Sequence, residues 1–178
     1  MDNKMRIFGI ALLILLAAAS RWIPHPPNFT PLLAIALFGG TQFRSKFLSV
    51  LVPLSILALS DLALGAYPYM WAVYMSFVVV IALGWWLKSE EFSWSRWTGG
   101  VFGASVVFFL TSNFAVWALG TMYPKTLSGL WSCYVAALPF FHNTLISTVV
   151  YGGVLFGAWA LMKRWQPEFF ENSRMMFS

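Results

Sequence analysis

Charge is confined almost wholly to the breaks between apolar runs. The 178-residue chain holds six acids and eleven bases. All but Asp61 sit beside or between the apolar stretches, and Asp61 lies within one. Charged residues make up 10% of the chain and hydrophobic residues 60%, against roughly 25% charge in soluble domains. Burying a charge in hydrocarbon is costly, so long uncharged runs punctuated this way belong to an integral membrane protein. The length suits one compact bundle.

The breaks divide the chain into six apolar spans, at about residues 5–20, 31–43, 47–66, 70–87, 99–119 and 139–162. The expected fold is all-α, a polytopic six-transmembrane-helix bundle in a single domain. Residues 5–20 have the length of a signal peptide, with Ala17-Ala18-Ala19 as a conceivable cleavage site. We read them as a retained first span, because its loss would make the number of crossings odd. The span at 31–43 is short for a ~30 Å hydrocarbon core. Pro53 is expected to kink helix 3. The apolar stretch after Gly129 is too long for one crossing, and Pro139 is expected to divide it. Leu130 to Leu138 then forms a short interfacial or re-entrant helix, and the tail from Lys163 lies on the membrane surface.

Six spans with an inside N-terminus place Lys4, Arg6, Arg44, Lys46, Lys88, Arg96, Lys163, Arg164 and Arg174 on the inner side. Only Arg21 and Lys125 fall outside. This asymmetry follows the positive-inside rule and orients both termini to the cytoplasm of a bacterial inner membrane. It accounts for the sequence pI of about 9.6 without nucleic acid as a partner.

The most polar outer segment is Arg21 to Pro31, R-W-I-P-H-P-P-N-F-T-P. Pro24, Pro26, Pro27 and Pro31 fix φ and remove backbone donors, so no helix runs through it. The residues preceding them are biased to extended geometry. Thr30-Pro31 reads as an N-cap followed by proline at the first helical position. The segment is either an ordinary stiff loop or a lip over a binding site, displaying Arg21, Trp22, His25 and Asn28.

Polar groups inside spans are costly and mark sites or clamps. Asp61, Asn113, His142 and Asn143 stand out. With ~1.5 Å rise per residue, all four lie within roughly 10 Å of the outer boundary, on the side of Arg21, His25 and Asn28. Each has a structural alternative. Asp61 can simply pair with Arg21, Asn113 can clamp two helices, and His142 can snorkel to the interface. Trp117 can be a belt residue rather than a solute contact. His25, His142 and Asp61 could in principle share a metal, but they lack local ligand spacing. Helices 2, 4 and 6 present their N-termini outward, which with Arg21 and Lys125 favours a solute bearing a carboxylate or phosphate and an aromatic ring.

Cys133 is the only cysteine, which excludes an intrachain disulfide and a cysteine zinc cluster. No nucleophile–base spacing, H-E-x-x-H, dinucleotide fingerprint or P-loop occurs. Neither enzyme chemistry nor a cofactor or resident metal is expected. The pairs Gly39-Gly40, Gly99-Gly100 and Gly152-Gly153 are read as close helix packing.

The chain resembles a family of small, uncharacterised bacterial membrane proteins. The resemblance rests on R-W-I-P-H-P-P-N-F-T-P, on A-L-F-G-G at Ala36–Gly40 and on L-S-D-L-A-L-G at Leu59–Gly65. N-F-A-V-W at Asn113–Trp117 and L-P-F-F-H-N-T at Leu138–Thr144 belong to the same pattern. That family is similar in size and span number to the substrate-binding S-components of energy-coupling-factor vitamin transporters. The similarity implies capture of a small, vitamin-like solute from outside, followed by coupling to a transmembrane subunit and two ATPases. Helix 1 departs from the S-component pattern, with Ala17-Ala18-Ala19 in place of A-x-x-x-A. The expected solute contacts are Arg21, His25, Asn28, Asp61, Asn113, Trp117, His142 and Asn143. The competing readings are a non-catalytic membrane partner subunit and an integral membrane enzyme.

Overall fold

A computed structural model describes residues 3–65, 68–89 and 93–165. Residues 1–2, 66–67, 90–92 and 166–178, and with the last most of the tail expected on the membrane surface, lie outside the described residues. The chain is all-helical there: α1 (Asn3–Ala19), a 3-10 turn (Ser20–Trp22), α2 (Leu32–Gln42), α3 (Lys46–Leu64), α4 (Met70–Leu87), α5 (Trp94–Leu119) and α6 (Leu127–Trp165). Four helices, α3 to α6, are long and apolar enough to cross a membrane, while α1 and α2 are shorter apolar helices.

The shortest helix is the centre of the bundle. α2 has 11 residues, about 16 Å at the α-helical rise, and touches every other helix. Leu32 through Gly40 are all buried. A helix apolar all round has no face for water and belongs inside. Phe38 meets Phe156 and Trp159 edge-on, with centroids 5.2 and 6.2 Å away. α4 crosses α2 at backbone contact. A Cβ on Gly40 would stand 2.4 Å from the Ile81 carbonyl oxygen, and one on Gly84 would stand 2.9 Å from the Gly40 Cα.

The expectation for the glycine pairs therefore holds in part. Gly39 lies against Pro53, and Gly100 against Leu87 and Leu37. Gly99 and Gly153 have open space, and Gly152 makes only ordinary contacts. Gly84, which no pair flagged, packs directly against the Gly40 backbone.

Boundaries shift where local chemistry differs from the simple reading. α2 starts at Leu32 with Pro31 as its cap residue and no side-chain cap, so Thr30 does not serve there. Pro31 is itself in the right-handed region, and its carbonyl accepts the first helical bond from Ile35 N at 2.9 Å. α3 stops at Leu64 because Gly65 takes φ +90° and its N–H returns to the Asp61 carbonyl at 2.8 Å, the glycine stop common at helix ends.

The division at Pro139 is corrected. α6 is one helix of 39 residues with Pro139 inside it, roughly 58 Å long, and no separate re-entrant helix forms from Leu130 to Leu138. Proline removes one intrahelical bond, but contacts to α5 grip the helix on both sides of it. Before Pro139, Tyr134 Oη donates to the Leu110 carbonyl at 2.8 Å and Cys133 Sγ donates to the Asn113 carbonyl at 3.5 Å. Beyond it, the Phe141 ring packs on Phe109 at 5.1 Å. His142 and Asn143 consequently sit midway along α6, not in a first turn.

Candidate functional site

The Arg21–Pro31 segment folds as a lid held down at several points. Ser20 Oγ donates to Tyr151 Oη at 3.0 Å, and the Phe29 ring leans on Tyr151 at 6.1 Å. Pro26-Pro27-Asn28-Phe29 closes a β-turn, with Phe29 N donating to the Pro26 carbonyl at 3.0 Å and Asn28 at φ +62°. Proline at the second place and a left-handed asparagine at the third are what a type II turn requires. Asn143 Nδ2 donates to the Pro27 carbonyl at 3.0 Å, tying the turn to α6.

Beneath the lid, Arg21 Nη1 donates to Asp61 Oδ1 at 2.7 Å and also to Ser60 Oγ. The side chains are only 8% and 3% exposed, so both charges are largely withdrawn from solvent and each needs the other. Tyr74 on α4 lies against the same carboxylate. Asp61 is 15 residues beyond Lys46 on α3, about 22 Å along the axis.

Two chambers open here. The inner one, about 240 Å³, is lined by Arg21, Asn28, Thr30, Thr144 and Ser147, with Leu32, Leu33, Val73 and Phe108. The outer one, about 280 Å³, is walled by Phe108, Phe109, Phe140, Phe141 and Val116, with Asn28, Tyr69, Ser112, Asn113 and Thr144 at its polar edge. Asn28, Val73, Phe108 and Thr144 line both, so the chambers form one cleft. Its walls are the lid, the N-terminal end of α4, and the paired helices α5 and α6.

Backbone strain converges on this cleft. Asn28 and Tyr69 are the two non-glycine residues with positive φ among the described residues, at +62° and +60°. Both line the outer chamber. Asparagine tolerates that region, whereas tyrosine held there stores about 1–2 kcal/mol.

The expected contact residues separate into three groups. Arg21, Asn28 and Asn113 line the cleft, although Asn113 Nδ2 is also bonded to the Phe109 carbonyl of its own helix at 2.8 Å. Asp61 and Asn143 support it from behind, through Arg21 and the lid. His25, His142 and Trp117 line neither chamber. His25 is exposed, its Nδ1 turned to the Pro26 carbonyl at 3.0 Å, and His142 is exposed on α6. Among the described residues no three His, Cys, Asp or Glu side chains gather for a metal.

Trp117 and Lys125 instead lock the α5–α6 turn. Trp117 Nε1 donates to the Pro124 carbonyl at 3.0 Å. Lys125 Nζ donates to the Trp117 and Gly120 carbonyls and lies 5.9 Å from the Trp117 ring centroid. A lysine on the free carbonyls of a helix end satisfies them and complements the dipole. Its charge is therefore engaged away from the cleft.

Sequence reasoning missed Thr30, Tyr69, Ser112, Thr144 and Ser147, together with the phenylalanine walls. A signal was present in α6: Thr144, Ser147 and Thr148 recur at i, i+3 and i+4, one buried hydroxyl-bearing face. Thr148 Oγ1 and Ser147 Oγ both donate to the Thr144 carbonyl, at 2.7 and 2.9 Å. The opposite end of the bundle, where the α2–α3 turn meets the end of α4, also has polar clamps of its own. Trp85 Nε1 donates to Ser49 Oγ at 2.7 Å, and Lys88 Nζ donates to the Phe43 carbonyl at 2.8 Å.

Residues 1–169 match a family described as a family of unknown function, DUF6580. The chain belongs to that family. No curated protein and no solved structure matches it, and no similarity to S-components accompanies the DUF6580 match. Nearly all of this DUF6580 chain, lid and cleft walls included, falls within the matched residues.

Proposed function

We propose that this protein captures a small solute from the outer side of a bacterial inner membrane, as a six-span substrate-binding subunit in the manner of an S-component. The carrying observation is that both left-handed non-glycine residues, Asn28 and Tyr69, line one cleft under a proline-stiffened lid. Strain at a cavity rim is retained where the surroundings over-determine it, and such places are enriched in ligand clamps. A stiff lid also lowers the ordering cost of binding.

The six-span count and the inside termini rest on the charge pattern. Arg44, Lys46 and Lys88 cluster where α2, α3 and α4 meet the α2–α3 turn and the α4 end, and Arg21 and Lys125 lie at the other pole. α1 and α2 can count as spans despite their length, because the lid folds inward to meet α2. With Lys46 at the inner boundary of a ~30 Å core, the Arg21–Asp61 pair sits roughly 8 Å below the outer boundary. A solute would enter from outside between the lid and α5–α6. A transmembrane coupling subunit and ATPases would supply the energy, since the sequence carries no P-loop.

The test is native mass spectrometry of the unwashed protein released from lipid nanodiscs. Wild type is expected to carry a small-molecule adduct. Ser112→Phe, which fills the outer chamber without touching Arg21, is expected to fold and lose it. An adduct that persists undiminished in Ser112→Phe would place binding elsewhere.

A further inference from the structure

The cleft is electrically balanced. Arg21 is the one charged side chain lining it among the described residues, and Asp61 cancels that charge at 2.7 Å. Lys125, the other outer base, is turned to the Trp117 and Gly120 carbonyls. His25 and His142 line neither chamber. A carboxylate, phosphate or ammonium moved here from water would lose its hydration with no uncompensated opposite charge to replace it.

The balance does not make the inner chamber inert. Arg21 Nη1 serves Asp61 and Ser60, while its buried Nε has no acceptor among the described residues. The Arg21 side chain itself lines the chamber, together with Thr30, Thr144 and Ser147. The outer chamber is different in kind, walled by four phenylalanines, of which Phe109 and Phe141 stand edge-to-face at 5.1 Å. Such walls favour a flat apolar or aromatic body.

We infer that the solute is an uncharged amphiphile, with a carbonyl- or amide-type head in the Arg21 chamber and a flat apolar body between the phenylalanines. This rests on the cleft being the binding site and revises the expectation of an anionic solute. A neutral acceptor head can match the guanidinium edge and the hydroxyls without adding net charge. An anion would have to compete with Asp61 for Arg21.

Four probes with one aromatic body separate the possibilities: 2-naphthamide, 2-naphthoate, 2-naphthylmethylammonium and naphthalene. Binding to the full chain in nanodiscs is measured by equilibrium dialysis at pH 7 against empty discs as blank. The amide is expected to bind at least tenfold tighter than the acid, the amine or naphthalene. That margin over naphthalene is expected to shrink in Arg21→Met/Asp61→Leu, which removes the donor and keeps the cleft neutral. Should the double variant fold poorly, Thr30→Val is expected to weaken the amide and spare naphthalene. Preference for the acid or the amine overturns the neutral-head inference and leaves the cleft as a site. An amide margin unchanged in both variants overturns the head's placement. Failure of all four probes to exceed the blank overturns the cleft reading itself.

Discussion

Removing one member of the Arg21–Asp61 pair leaves the other as an unmatched charge inside the bundle. Arg21→Met and Asp61→Leu do this one at a time, and the double variant does neither. The contact is 2.7 Å with side chains 8% and 3% exposed, so little solvent is available to rescue the survivor. Breaking a buried pair costs about 3–5 kcal/mol in soluble proteins. The lower end applies here, because helices unfolded within a bilayer find substitute partners. Each single variant should thus lose about 3 kcal/mol, roughly a hundredfold in the folded-to-unfolded ratio. The double variant should lose less than either single, because two apolar side chains of similar length leave no charge behind. The resulting coupling energy, about 3 kcal/mol or more, is read from a double-mutant cycle. Steric trapping in bicelles gives the four stabilities. If the double variant loses the sum of the singles, the two charges act independently and the pair does not hold α3 to the lid.

Four other outcomes follow from the geometry. Tyr69→Asn relieves the left-handed strain at the cleft rim, so stability should hold or rise by up to about 1 kcal/mol while binding of the co-purified solute falls; a loss of stability without loss of binding would make Tyr69 structural. Asn28→Gly keeps the turn and removes the amide, so lid protection from hydrogen exchange should persist while solute affinity drops, whereas Asn28→Ala should loosen both. Gly40→Ala drives a methyl against the Ile81 carbonyl at 2.4 Å and should cost about 1–3 kcal/mol despite a gain of up to ~1 in helix propensity; Gly153→Ala, with nothing within 4 Å, should be neutral or stabilising, and equal effects would refute the close α2–α4 crossing. In a Cys133→Ala background, Lys125→Cys should react with an impermeant maleimide from outside and Ser89→Cys only from inside, and the reverse pattern would invert the proposed orientation.

Much of this was readable from residues alone, and what was readable is what depends on one coordinate. Hydrocarbon rejects charge residue by residue, so the placing of the bases and acids already marked out apolar helices of membrane-spanning character, four of which are long enough to cross. A helix advances by a constant rise, so counting from the Lys46 end put Asp61 near the depth of Arg21. Two unmatched charges at one depth in apolar surroundings then called for the pair that forms at 2.7 Å. Four prolines between Arg21 and Pro31 required a stiff non-helical connection, and P-P-N-F carries the chemistry of the turn it makes. Depth says nothing about which way a side chain faces. His25 and His142 are expected at the same depth as Asn28 yet line neither chamber, while Thr30, Thr144 and Ser147 do line the cleft. That azimuth is set by how each element packs on its neighbours, for α6 by its contacts to Phe109 of α5 and Phe38 of α2. The continuity of α6 through Pro139 is of the same kind. Locally proline argues for a break, and only the grip of α5 on Cys133, Tyr134 and Phe141 overrules it.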